Sequence, residues 1–193
     1  MAKVLSFSRY FPKGHPKEGK PTHFVAKMLN ALGIDFRTTE YMQLVRDLNK
    51  HNPKITEDIL RDFFKSLKWS VDDEKIHTIR AKNPKHEKPR WKAGELASPR
   101  VWSDTPYASP QIIFAPDTKV KKTYGFVTSK FGLLEHVRPE HSFKIDGELK
   151  FFDLVDVETL AYNDGLTWYD FKKWFKLPCD FDGQIIAWKE PNY

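Results

Sequence analysis

Lys75-Ile76-His77-Thr78-Ile79-Arg80 places a lysine, a threonine and an arginine within one short alternating segment. A lysine beside a second cation loses its proton more readily, and a hydroxyl next to it becomes a nucleophile or a ligand contact. In an ideal strand Thr78 and Arg80 share one face and Lys75 lies on the other. A Lys75–Thr78 pair therefore requires Lys75 to lie just before the strand or at a bulge. Asp72 and Asp73 precede it and favour a turn. In that arrangement Lys75 is a candidate general base for Thr78 or for water. The competing reading makes Lys75 and Arg80 ordinary ion-pair partners of Asp72, Asp73 or Glu74.

A second chemical group lies far downstream in Asn163-Asp164-Gly165, which has the composition of a turn. Beside the hexapeptide, the Asp164 carboxylate would hold Lys75 protonated or pass a proton to a leaving amine; otherwise it is turn chemistry. The loop after the hexapeptide carries Lys82, Lys85, His86, Lys88, Arg90 and Lys92 against the single acid Glu87, and Trp91 lies within it. Cations interleaved with aromatic rings suit a phosphate backbone and unpaired bases, although such a run also serves as a solvated face.

Certain elements must position these groups. Val4 to Tyr10 reads as a strand with Leu5, Phe7 and Arg9 on one face. A Pro-, Gly- and Lys-rich loop follows to Pro21. Three helices are expected between Thr22 and Trp69. Thr22 caps the first, which Gly33 ends; the second runs from about Thr39 to Lys50; Thr56 caps the third. From Lys75 the pattern changes to short strands at Ile76 to Arg80, Glu95 to Trp102, Gln111 to Ala115, Lys119 to Phe126 and Ser142 to Ile145. Helices follow over Asp153 to Tyr162 and from Thr167, where Asp170 completes a capping box. Gln184 to Trp188 supplies the last strand.

The chain has 193 residues, 40% of them hydrophobic, which is enough for one domain with a real core. Its formal net charge of +6 suits a polyanionic partner. With Cys179 as the one cysteine, no internal disulfide can form, which favours a reducing compartment. Neither a signal-peptide core nor a membrane-length apolar run is evident, and no histidines fall at metal-ligand spacing. The expectation is a cytoplasmic protein with no metal and no cofactor.

These residues resemble the ASCH superfamily, whose signature is G-x-K-x-x-E-x-R. The corresponding stretch is Asp73 to Arg80. Lys75 and Arg80 match, while Asp73 replaces the glycine and Thr78 the glutamate. The K-x-x-T-x-R form is similar to the small bacterial acetylcytidine amidohydrolases, with Gly94 as the glycine that follows. Leu5 to Phe11, Leu160 to Phe175 and Gln184 to Trp188 resemble other parts of that branch. ASCH-like proteins of bacteriophages and prophages are similar too.

The resemblance implies an α+β fold, a PUA-like small β-barrel of the ASCH type spanning 1–193, with 22–69 as a helical insertion after the first strand. It implies catalytic roles for Lys75, Thr78 and Asp164, the last one methylene shorter than the family's glutamate. Arg80, Arg9, Trp91, Lys82, Lys88 and Arg90 would bind ligand. The implied function is binding of a nucleobase-containing ligand (a modified nucleoside, RNA or DNA, with RNA ahead of DNA) in the barrel mouth, with or without amide hydrolysis of an acylated cytidine-like nucleoside. The alternative is a non-catalytic nucleic-acid-binding or protein-interaction module of a mobile element.

Overall fold

The computed structural model describes residues 1–67, 73–83, 85, 89–131, 142–151 and 154–191. In chain order the elements are β1 (Lys3–Phe7), α1 (Phe24–Ala31), α2 (Thr39–Asn49), α3 (Glu57–Leu67), β2 (His77–Ala81), β3 (Leu96–Trp102) and β4 (Gln111–Ile113). They continue with β5 (Thr118–Lys119), β6 (Lys122–Thr128), β7 (Ser142–Ile145), β8 (Glu148–Phe151), α4 (Leu154–Asn163), α5 (Trp168–Phe175) and β9 (Phe181–Ala187). The chain is therefore α+β, and it divides into two compact units.

The first unit comprises Met1–Lys13, Lys17–Glu74 and Leu96–Lys119. Leu5 and Phe7 alternate onto one side of β1, and each is 2% exposed. β1 pairs in parallel with β3, and β3 pairs antiparallel with β4 and β5. A parallel pair needs a long crossover, and the chain from β1 to β3 includes all three helices of this unit. Their stripes supply Met28, Leu29, Val45 and Phe63, all at 0% exposure, as are Val101, Ile112 and Phe114 of the sheet region. Burying each such side chain is worth about 1.5–3 kcal/mol. Two polar ties fix α2 against the sheet. Tyr41 Oη donates to Phe114 O at 2.9 Å, and the Asn49 amide bonds both the N–H and the C=O of Ile113 at 3.0 and 2.9 Å.

The second unit comprises Gly14–Pro16, Lys75–Glu95 and Val120–Tyr193. Its sheet is antiparallel in the order β2-β9-β6-β7-β8. Ile185, Ile186 and Ala187 on β9 are fully buried, together with Phe143, Leu160 and Phe171. β2 and β8 end this order, so no closed ring of strands is formed among the described residues.

Three local expectations change. The strand expected over Lys119 to Phe126 is two strands, because β5 belongs to the first unit's sheet and β6 to the second's. Thr22 does not cap α1 as the N-cap residue. His23 holds that position in a left-handed conformation (φ 59°), while Thr22 Oγ1 donates to Ser8 O at 2.7 Å. β8 had no counterpart in the sequence reading. It follows the Asp146-Gly147 turn, where both residues have positive φ, as a tight two-residue hairpin requires. Among the described residues, no helix is long and apolar enough to cross a membrane.

Candidate functional site

The hexapeptide and the Asn163-Asp164-Gly165 turn meet within the second unit. Asp164 owes its place to the end of α4. Gly165 N–H donates to Tyr162 O at 2.7 Å and Leu166 N–H to Ala161 O at 2.9 Å, the paired bonds of a Schellman motif. Gly165 takes the left-handed conformation that motif needs (φ 78°). On the other side, Ile76 N–H donates to Asn163 O at 3.0 Å, and Ile76 O accepts from Trp188 N–H at 3.1 Å. Lys75 thus enters just before β2, where a Lys75–Thr78 arrangement requires it.

Lys75 Nζ donates to Asp164 Oδ1 at 2.5 Å and also to the Asp164 carbonyl oxygen. These partners are 89 residues apart in sequence. Their side chains are 1% and 5% exposed, so this is a buried ion pair. The carbonyl belongs to the residue just after α4, where the helix dipole favours a cation. The carboxylate also accepts the backbone N–H of Ile79 and feels the positive charge of Arg80. β2 lies at the edge of its sheet, so the carboxylate satisfies a backbone donor that β9 does not take up. The shorter aspartate reaches both the lysine and the strand.

Opposing effects act on Asp164. Burial raises its pKa and dominates, while Lys75, its hydrogen bond, Arg80 and the Ile79 N–H oppose the rise. His77 is at 0% exposure, and its pKa is held well below the usual histidine value, first by burial and then by the Lys75 charge. It is a neutral imidazole at physiological pH.

Thr78 is 3% exposed and lies opposite Ile186 of β9. Arg80 shares its face by strand alternation, is half-buried, and lies opposite Gln184. His77 and Ile79 occupy the other face and are buried as well, so β2 is covered on both sides at its start. His77 thus falls on the Lys75 side of the alternation, where the Lys75 charge acts on it. The one available signal was a histidine set in an otherwise apolar and β-branched alternation.

The remaining candidates are distributed differently. Trp91, expected to offer its ring to a base, is 2% exposed and buried as core, since the basic loop folds back there onto β9. Gln184 brackets its backbone: Nε2 donates to Trp91 O at 2.7 Å and Oε1 accepts from Trp91 N–H at 3.2 Å. Arg90 is exposed, with its guanidinium 5.6 Å from the centre of the Trp91 ring. Lys82 Nζ lies 3.5 Å from Asp182 Oδ2 at the surface. Lys88 lies outside the described residues, as do Trp69, Asp72, His86 and Glu87. Arg9 belongs to the first unit, where Nη1 donates to Ser103 O at 2.6 Å.

The arrangement brings a buried ammonium against a buried carboxylate, with the Thr78 hydroxyl buried and the Arg80 guanidinium half-buried on β2. Among the described residues, no group of three or more His, Cys, Asp or Glu side chains could hold a metal ion. No protein-family model matches the chain, and no curated protein or solved structure matches it.

Proposed function

We propose that the second unit binds a nucleobase-containing ligand at the Lys75, Thr78, Arg80 and Asp164 cluster, as a variant of the PUA-like, ASCH-type architecture whose signature its hexapeptide resembles. The observation that carries this reading is the buried ion pair between Lys75 and Asp164, whose carboxylate also feels the charge of Arg80. A buried pair of this kind is a weak device for stability, because desolvation offsets most of its attraction. Its chemistry suits a nucleobase edge, which alternates carbonyl acceptors with N–H donors. Arg80 and Lys75 donate, Asp164 accepts, and Thr78 does either. Arg80 is the partly exposed member and makes the first contact with an incoming carbonyl or phosphate oxygen.

Amide hydrolysis of an acylated cytidine-like nucleoside is the second reading, and the meeting of lysine and carboxylate, with a threonine three residues after the lysine, favours it. In that reaction water adds to the acyl carbon and the C–N bond breaks. The amine leaves with a proton relayed by the Lys75–Asp164 pair. Binding without turnover takes precedence because Lys75 donates to both a carboxylate and a carbonyl. That geometry makes it a cation and a donor rather than a base.

A panel of acylated and unmodified nucleosides, scored for thermal stabilisation and for product release, separates the readings. Stabilisation without product supports binding. Release of free acid that is lost in Thr78→Val supports hydrolysis. Neither response from any nucleoside removes both. Arg80→Gln is the variant for the binding arm, since Arg80 is half-buried at the end of an edge strand.

A further inference from the structure

The first unit carries a second cluster that the hexapeptide does not explain. The turn between β3 and β4 holds Tyr107 in a left-handed backbone conformation (φ 65°) with its side chain almost fully in solvent, at 91% exposure. Positive φ is costly for an aromatic residue. The ring nonetheless lies 5.3 Å from the ring of half-buried Trp102, tilted by 50°. The carbonyl of the next residue, Ser103, accepts from Arg9, and the Arg9 guanidinium sits 5.5 Å from the centre of the Tyr10 ring. Tyr10 is itself 46% exposed. One surface therefore presents Tyr107, Trp102, Arg9 and Tyr10 as linked aromatic and cationic planes.

Cations flank that surface. Tyr10 forms a bridge with Pro21, and Phe11 N–H donates to Lys20 O at 2.9 Å, so the loop returns beside its own start. Lys13 and Lys20 are exposed on it, and Lys17 lies over the Phe11 ring at 5.7 Å. Glu18 is the one acid among residues 9–13 and 17–21.

We propose that this face of the first unit binds single-stranded nucleic acid, with a base stacked on Tyr107 and the phosphate backbone running past Arg9 toward Lys13 and Lys20. Exposed aromatic faces next to cations fit a strand whose bases are unpaired; duplex DNA keeps those faces hidden. The charge is complementary to phosphate, and the chain's net charge of +6 favours encounter. The inference does not depend on the Lys75 cluster, which lies in the other unit.

The test is fluorescence anisotropy of the full chain with labelled oligouridylate and oligothymidylate, each roughly 12 nucleotides long and within the footprint of small single-strand-binding surfaces. Tyr107→Gly suits the left-handed backbone and removes the ring, so the turn is preserved. It should weaken binding about 5- to 150-fold, the range that loss of one stacked base produces. Tyr107→Phe should retain binding. Lys13→Gln with Lys20→Gln should lower the slope of log affinity against log salt by about 1.4. RNA and DNA arms report which sugar is preferred, and binding of either supports the proposal. Three results would overturn it: no binding of either oligomer at low salt, equal affinity for Tyr107→Gly and the unaltered chain, or a loss confined to Lys82→Gln and Arg90→Gln. Failure of the nucleoside panel leaves this experiment unaffected.

Discussion

Replacing Lys75 with methionine removes the cation from a carboxylate that is 5% exposed. The Asp164 charge is then left with the Ile79 N–H and the more distant Arg80. Removing one partner of a buried pair costs about 3–5 kcal/mol. For a chain of this size that corresponds to a fall in Tm of about 6–20 °C. Asp164→Leu should cost a similar amount, because it strands the Lys75 ammonium. The double variant replaces both charges by apolar volume and should lie within about 2 kcal/mol of the unaltered protein. Urea unfolding of the four proteins gives the coupling as the failure of the two single losses to add, and it should be several kcal/mol.

The pH dependence adds a signature specific to this geometry. In Lys75→Met the two Lys75 influences that lower the Asp164 pKa are gone, so burial raises it further. The folded variant then binds a proton more tightly than the unfolded chain, whose aspartate keeps a value near 3.8. Stability from that proton is fully present below the unfolded value and is lost as pH rises through the folded one. Lys75→Met should therefore recover stability as pH falls, by up to about 1.4 kcal/mol per pH unit, and Asp164→Leu should not. Single losses under about 1 kcal/mol, or identical pH profiles for the two variants, would refute the reasoning that the pair is desolvated.

Three further perturbations test the frame around the pair. His77 has a lowered pKa in the folded state, so its contribution is present above the unfolded value of 6.5 and is lost as pH falls below it. Between pH 7.5 and 5.5 the unaltered protein should lose about 1.4 kcal/mol more than His77→Gln in urea unfolding, and parallel profiles would contradict this. Gly183 on β9 lies opposite Ala81, and a Cβ there would come 2.4 Å from the Phe181 ring and 2.5 Å from Arg80 O. Gly183→Ala should cost about 1–3 kcal/mol and perturb the Arg80 end of β2, read by amide exchange in β2; an unchanged midpoint would count against the close approach. Asn49→Ala abolishes the side-chain bonds to both backbone groups of Ile113 and should cost about 2–4 kcal/mol, with a loss below about 0.5 kcal/mol showing that water replaces them.

Local chemistry was legible in the sequence wherever a short segment decides its own structure. The α2 stripe placed that helix to within a residue of its observed ends, and Thr167 caps α5 by accepting from Asp170 N–H at 3.1 Å. Lys75 lies ahead of β2, the placement that alternation demands of a Lys75–Thr78 pair. Sheet membership was not legible. Val120 and Lys121 look like the middle of one strand, yet the chain passes there from one sheet to the other. Hydrophobic alternation records that a side is buried, not which strand lies alongside. The Asp146-Gly147 pair was a hairpin signal in plain view, and it would have supplied β8. Trp91 and Tyr107 show the same limit for sites. Both are aromatic residues set in loops, but one is 2% and the other 91% exposed, and the Trp91 backbone is held by Gln184 of β9.

The two proposed sites lie in different units. In the second, the Lys75 ammonium and the Asp164 carboxylate are already satisfied by one another, so a ligand bound as proposed would compete with a preformed pair and gain specificity more than affinity from it. A base edge that supplies both an acceptor for Lys75 and a donor for Asp164 replaces both halves at once. A ligand offering only one strands the other, at the several-kcal/mol cost of an unpaired buried charge. The nucleoside panel should therefore discriminate sharply on the hydrogen-bonding edge and weakly on the sugar. Equal stabilisation by nucleosides with opposite donor–acceptor order would place recognition at Arg80 alone and remove the buried pair from the binding site.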